Sequence, residues 1–497
     1  MTTPRWRGAG RWPIVVWLLL VASRQIATAQ ADTSWSDVYV SDLAGVHSLI
    51  SANHPGPVDA ENPAFARTLE TAYEEALGAA ASITSYSAYR LALTRFVNRF
   101  QDAHLQLSFS RPLDDVREAG IYPVYRDGAF VVSEVDRRYG AQAAEFRGAT
   151  LLECDGRSAD EIFRQGVLSW RGRPSVDADW YLLAPYLLVD YGPPTPAAPS
   201  TCQFAINGRI LTLPLSWTSK PGRAVAERVR ELTSFGPRTL SLERLEEGTV
   251  VWVNVPTFAV YDSASIAAMH ALIDSLQTEM TRNRRWDLLV FDLRGNSGGS
   301  SVWGDQMAKA VFGEAWIERA SEWLFDGVYT EWRVSRDNIA ALRGIVRQQE
   351  QRHGPDSENA RYFRAFTDSM VAAFDRGDAL IRSEGSRQGV ARPPHVDVPG
   401  RILLLTSASC YSACLGFLDR MLLHTAVVQV GQPTGVDTYY MENWGYGLPS
   451  GLVRLSYPMK VYRNRRRAAN QAYTPQVLNE QLDDTAAVRS WVLNLGR

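Results

Sequence analysis

The residues of this chain whose types and positions suit chemistry are one serine, Ser412, and two glycines, Gly298 and Gly299. Ser412 follows an apolar run, Arg401 to Thr406 (RILLLT), and a short loop. After it, Ala413, Cys414, Leu415, Phe417, Leu418, Met421 and Leu422 recur at helical spacing. That order reads as a buried strand, a loop and then a helix starting beside the serine. A hydroxyl at a helix N-terminus sits in the positive field of unpaired N–H groups, which favours an oxyanion developing nearby. Gly298 and Gly299 close a second apolar run, Leu288 to Gly299 (LLVFDLRGNSGG), and offer backbone N–H groups that no side chain screens. One of them, with the N–H of Ala413, would cradle a carbonyl oxygen, each such donor contributing about 3 to 4 kcal/mol in a transition state. The chemistry this suits is nucleophilic attack on a carbonyl. On position alone Ser412 is better read as an N-cap, and Ser407 and Ser409 compete with it. The glycines read equally as a sharp turn. Asp292 and Arg294 read as structural, with Arg294 bracing the loop through a carboxylate.

These residues need a scaffold, and the pattern from Thr249 onward supplies one. VVWVNVPTF reads as a strand, Ser263 to Met280 as a helix, Leu288 to Leu293 as a strand and Ser301 to Phe312 as a helix. Strands alternating with helices imply crossovers and an α/β sheet that is at least partly parallel. Before it, residues from about Trp35 to Phe100 repeat at helical spacing. Ile121 to about Leu215 is cut into short β-rich pieces, among them Gly148 to Ile162, which reads as strand, tight turn at Asp155-Gly156, strand and helix start. The polar helical stretch 333–385 is an insertion that either covers a cleft or decorates the surface, and a Pro-rich linker, Arg392 to Pro399, follows it. The expected divisions are 1–31, 32–110, 120–220 and 245–497.

At 497 residues the chain exceeds one ordinary core, and 45% hydrophobic against 21% charged residues excludes a disordered protein. The 52 basic residues are balanced by 54 acidic ones, and no long basic run occurs, so nucleic acid is not an expected partner. The cluster Arg463, Arg465, Arg466 and Arg467 reads as a solvated strand edge or loop. Arg5, Arg7 and Arg11, the apolar run Pro13 to Ala22 and the small residues Ala27, Ala29 and Ala31 follow the order of a secretory signal peptide. Export to a periplasmic or extracellular space follows, with no stable membrane insertion after cleavage; an uncleaved anchor is the other reading. An oxidising compartment permits disulfides among Cys154, Cys202, Cys410 and Cys414. Cys154 with Cys202 is the favoured pair, while Cys410 and Cys414 read as small buried residues around the turn. No metal site or cofactor is expected, because C-x-x-x-C without nearby histidines lacks ligand spacing.

Taken together, the helical lead, the Asp-x-His turn at Asp102 to His104, the β-rich segment, D-L-R-G-N-x-G-G at Asp292 to Gly299 and the Ser412-Ala413 step resemble the tail-specific, or C-terminal-processing, serine peptidases. The resemblance covers most of the chain and extends to the tricorn core. It implies a β/α spiral (ClpP/crotonase-like) core with a small PDZ-like β domain and a helical N-terminal region.

The resemblance further implies that Ser412 is the nucleophile, acting on a polypeptide substrate. The lysine of one branch of the family is missing from Gly431 to Asp437 (GQPTGVD), and Lys460 reads as a solvated strand residue. The chain is similar instead to the branch with a histidine in its N-terminal part, which His104 matches. An imidazole with an ordinary pKa near 6.5 suits general-base work. The third group of that branch has no glutamate at its place near Asn470; Glu442, in the aromatic loop YYMENWGYG, is a candidate substitute. The reading is an exported serine peptidase with Ser412 and His104 as its catalytic pair. The alternative is a noncatalytic protein binding a peptide or apolar ligand on the same scaffold.

Overall fold

Leu288–Asp292 and Arg401–Thr406 lie side by side in parallel, Asp292 opposite Leu405, at the centre of a six-stranded sheet. In the computed structural model, which describes residues 34–282, 286–383 and 389–496, that sheet runs in the order Ser241–Leu245, Val250–Asn254, Leu288–Asp292, Arg401–Thr406, Val427–Gly431 and Val477–Leu478. The first pair is antiparallel and the rest are parallel. The central strands are apolar without alternation because both faces are covered. One face packs on helices Ser263–Arg282, Ser301–Phe312 and Ala413–Met421 through Leu276, Met307 and Phe417. The other packs on Thr485–Gly496 through Val488 and Val492. The architecture is mixed α/β, and residues from Trp35 onward form one compact unit. The leader expected over residues 1–31 lies outside the described residues.

A second sheet joins the beginning of the chain to its end. Val453–Arg463 pairs antiparallel with Gln106–Phe109, Tyr329–Arg333 and Tyr440–Gly447. Helices Trp35–Asn53, Tyr86–Asn98, Arg336–His353 and Glu358–Arg376 close one core with it, in which Leu43, Leu93, Leu342, Met370 and Leu455 are buried. The insertion is therefore part of a core shared with the N-terminal helices, and its amphipathic faces are not left to solvent.

The β-rich segment forms an antiparallel sheet of Ile121–Arg126, Ala129–Val135, Thr150–Cys154, Thr201–Ile206 and Arg209–Pro214, with Arg157–Ser158 beside it. Its hairpins turn at Asp127-Gly128, Asp155-Gly156 and Asn207-Gly208, where both residues have positive φ, the geometry that matches the twist of paired strands. Cys154 and Cys202 face each other across two strands and are bonded. Among the described residues no helix is long and apolar enough to cross a membrane, and no group of three or more His, Cys, Asp or Glu is placed to hold a metal.

The arginine cluster departs from expectation. Arg463 and Arg467 are 4% and 6% exposed. Arg463 binds Asp59 at 2.7 Å and Glu331 at 2.7 Å, and Arg467 binds Asp419 at 2.9 Å and also Asp437. Only Arg466 of this group stays exposed. A basic run reads as solvated when its partners are distant in sequence; here Asp59 from a loop among the N-terminal helices, Glu331 from the second sheet, Asp419 from the Ala413–Met421 helix and Asp437 from a loop meet it inside. Lys460 is likewise enclosed rather than solvated, lying 3.0 Å from Glu442 and over the Trp332 and Tyr462 rings.

Candidate active site

Ser412 ends the loop after Arg401–Thr406 and caps the Ala413–Met421 helix with φ 55° and ψ −116°, while its side chain makes no capping bond. A non-glycine residue in that region costs on the order of 1 to 3 kcal/mol, and such strain persists only where the surroundings impose it. Several contacts do so. Cys410 and Cys414 are bonded across the serine, a disulfide in place of the two unpaired residues expected. Their chain separation of four places the bridge over one turn of backbone. The Cys414 N–H donates to Tyr411 O at 3.1 Å and the Gly416 N–H to Ser412 O at 3.1 Å. The hydroxyl is thereby turned away from its own helix and left for other work.

The glycine loop lies against this turn. A β-carbon on Gly298 would sit 2.5 Å from Tyr411 O, 2.9 Å from Ala413 N and 2.9 Å from Ser412 Cβ, so only glycine allows the approach. Gly298 N–H is occupied, donating to Asn296 Oδ1 at 3.0 Å, while Asn296 Nδ2 donates to Val255 O. Phe258 N–H takes Gly298 O and Ser300 N–H returns to Phe258 O. Those bonds leave the Gly299 N–H without an acceptor among the described residues, as is the Ala413 N–H at the first position of its helix. Gly299 is thus the donor of the pair that geometry frees, a distinction that depends on Asn296. Arg294 braces the loop as expected, with Nε 2.9 Å and Nη2 2.7 Å from the Asp292 carboxylate and Nη1 donating to Leu482 O.

His104 comes from the turn between Tyr86–Asn98 and Gln106–Phe109. Asp102 makes that turn: its Oδ1 accepts from His104 N–H at 2.9 Å and from Thr438 Oγ1 at 3.0 Å. The carbonyl of His104 accepts from Asn443 Nδ2 at 2.9 Å. His104 is 7% exposed, its ring lies 5.2 Å from the Tyr411 ring, and its Nδ1 is buried with no hydrogen-bond partner among the described residues. His104, Gly299, Ser412 and Ala413 line one cleft of about 730 Å³. Glu442 lines it too, but its carboxylate faces Lys460 Nζ. His424, at the far end of the Ser412 helix, is bound to Val396 O.

The sequence did not single out His54. Both partners of the His54–Asp102 pair are fully buried, with Nε2 and Oδ2 3.6 Å apart. Burial would raise the Asp102 carboxyl, yet the facing His54 ring and the charge of His104 hold it below the usual carboxylate range. Burial lowers the His54 pKa, and Asp102 offsets this only in part. The readable signal was the two-residue spacing from Asp102 to His104; nothing local marked His54, which sits in N-H-P-G and looks like a loop.

No protein-family model matches the chain, and no curated protein matches it. Solved structures do. Mature CPAF superposes with a TM-score of 0.59 at 15% identity, over 93% of this chain and 96% of that one. CPAF complexed with lactacystin gives 0.57 at 14% identity, over 93% and 98%. The photosystem II D1 C-terminal processing protease is a more distant neighbour, with a TM-score of 0.30 at 11% identity over 89% and 92%. The chain has the fold of mature CPAF.

Proposed function

We propose that the chain is an exported serine peptidase that cleaves polypeptides by acyl transfer. The observation that carries this reading is the strained Ser412, its hydroxyl uncommitted, in one cleft with the unpaired N–H groups of Gly299 and Ala413 and the imidazole of His104. Ser412 Oγ attacks the carbonyl carbon of a peptide bond while His104 takes the hydroxyl proton. The carbonyl oxygen becomes an oxyanion between the two N–H groups, fixed dipoles that need no rearrangement as charge develops. His104 then gives the proton to the leaving amine, and the C–N bond breaks. Water, deprotonated by the same imidazole, releases the acid and restores Ser412. The fold shared with CPAF supports the reading.

Within it, the six-stranded sheet and its helices over 245–497 serve as the β/α spiral core. The antiparallel sheet over 120–220 serves as a PDZ-like module that positions an extended peptide by adding a strand. Export is supported by the composition of the leader and by two disulfides.

Labelling with a fluorophosphonate and mapping the adduct tests the mechanism. The adduct should fall on Ser412, disappear in Ser412→Ala and form more slowly by at least about a hundredfold in His104→Ala. A folded protein that never labels would instead be a binding protein on this scaffold.

A further inference from the structure

We infer that Asp102, fixed by His54 and Thr438, positions His104 through its backbone N–H and places a negative charge that favours the protonated form of its ring; this rests on His104 being the base for Ser412. The other acids of the cleft already face cations. Glu442 binds Lys460, Asp437 binds Arg465 and Arg467, and Asp419 binds Arg465 and Arg467. The groups that hold the Asp102 charge are the imidazoles of His54 and His104.

The geometry holds the carboxylate from three sides. Oδ1 is fixed by the His104 N–H and the Thr438 hydroxyl. Oδ2 faces His54 Nε2, and neither atom has a hydrogen-bond partner among the described residues. His54 Nδ1 accepts the Gly56 N–H at 2.9 Å, so a neutral ring carries its proton on Nε2, toward Asp102. The ring cannot turn away, since it is stacked on Phe65 at 4.6 Å and packed on Tyr440 at 4.7 Å. An anion enclosed in this way is poorly screened, so a proton arriving on the neighbouring imidazole is favoured strongly. Arg173, Tyr411 and Tyr440 also face Asp102, and Asp59 faces His54; Arg173 is already paired with Asp179. Asp102 touches no reacting atom and is a positioning residue.

The test is a histidine-nitrogen NMR titration of the full chain alongside the pH profile of fluorophosphonate labelling. In Asp102→Asn the His104 ring nitrogens should titrate at lower pH than in the unmodified chain, with the acid limb of labelling moving in the same direction. Labelling at the plateau should slow by at least about tenfold. His54→Phe, which keeps the stacked ring, should move both in the same direction by less, and it carries the same readout should Asp102→Asn fail to fold. A His104 pKa unchanged in a folded Asp102→Asn or His54→Phe protein overturns the inference. A pKa that falls as expected in a protein whose Ser412 never labels upholds the contact and sinks the acyl-transfer reading.

Discussion

Gly298 and Ser412 are packed so closely that a β-carbon on the glycine would lie 2.9 Å from that of the serine. Its other near neighbours are backbone atoms of Tyr411 and Ala413, which cannot swing aside as a side chain would. Gly298→Ala should therefore displace the turn and lower Ser412 labelling by more than about a hundredfold. Gly128→Ala is the control: its φ is also positive, but the new methyl meets nothing within 4 Å. That variant should cost only about 1 kcal/mol and label normally. Equal labelling in the two variants would sink the argument.

The two disulfides should separate stability from reactivity. Cys154–Cys202 spans 48 positions and removes about 4 kcal/mol of unfolded-chain entropy, whereas Cys410–Cys414 spans 4 and removes about 2 kcal/mol. Replacing the first pair with alanines should lower the thermal midpoint more and leave labelling near normal. Replacing the second should lower the midpoint less but slow labelling, because the bridge arches over Ser412. Thermal unfolding and labelling rates on both double variants decide this.

Arg467 faces Asp419 and Asp437 in a buried network, so Arg467→Met leaves two acids sharing Arg465 as their one remaining cation. The loss should be about 3 kcal/mol in urea unfolding, mostly the penalty for buried charge left only partly compensated. Arg466→Met, which loses exposed contacts to Trp323 and Asp326, should cost less, about 1 kcal/mol.

Acid should act in two stages. Burial holds the His54 pKa below its usual 6.5, so the unfolded chain takes up a proton that the folded protein refuses. The stability from keeping that ring neutral is complete above pH 6.5 and is lost as pH falls below it; His424, lowered by burial as well, adds to this stage. Burial would raise Asp419, but Arg467, Arg465 and the Tyr473 hydroxyl hold it below 3.8. Its contribution is present above the unfolded value and disappears as pH falls through the lowered folded value. Urea midpoints measured between pH 8 and pH 3 should show both stages, the first reduced in His54→Phe. An identical slope between pH 7 and pH 5 in that variant would contradict the assignment.

Local pattern carried much of the fold. Ser301–Phe312, Leu288–Asp292 and Arg401–Thr406 fall where apolar periodicity places them, since each depends on residues within a turn or two of itself. The proximity of Gly298 to Ser412 was also foreshadowed, because two buried strands ending in small residues in a parallel sheet bring their loops together. What escaped depends on distant partners. Arg463 and Arg467 look hydrophilic until Asp59 and Asp419 are beside them, and Lys460 looks solvated until Glu442 and Trp332 enclose it. Which glycine keeps a free N–H is decided by one side chain, Asn296, and no spacing rule reveals that.

The pairing of Gln106–Phe109 with Val453–Arg463 also sets a timetable. Ser110 is bound to Leu452, 342 positions later, so the turn bearing His104 gains its neighbouring strand only after that long stretch has been synthesised. A nascent chain that has not yet reached Val453 lacks the strand that holds the two halves of the cleft together, and any reactivity they share waits for that strand.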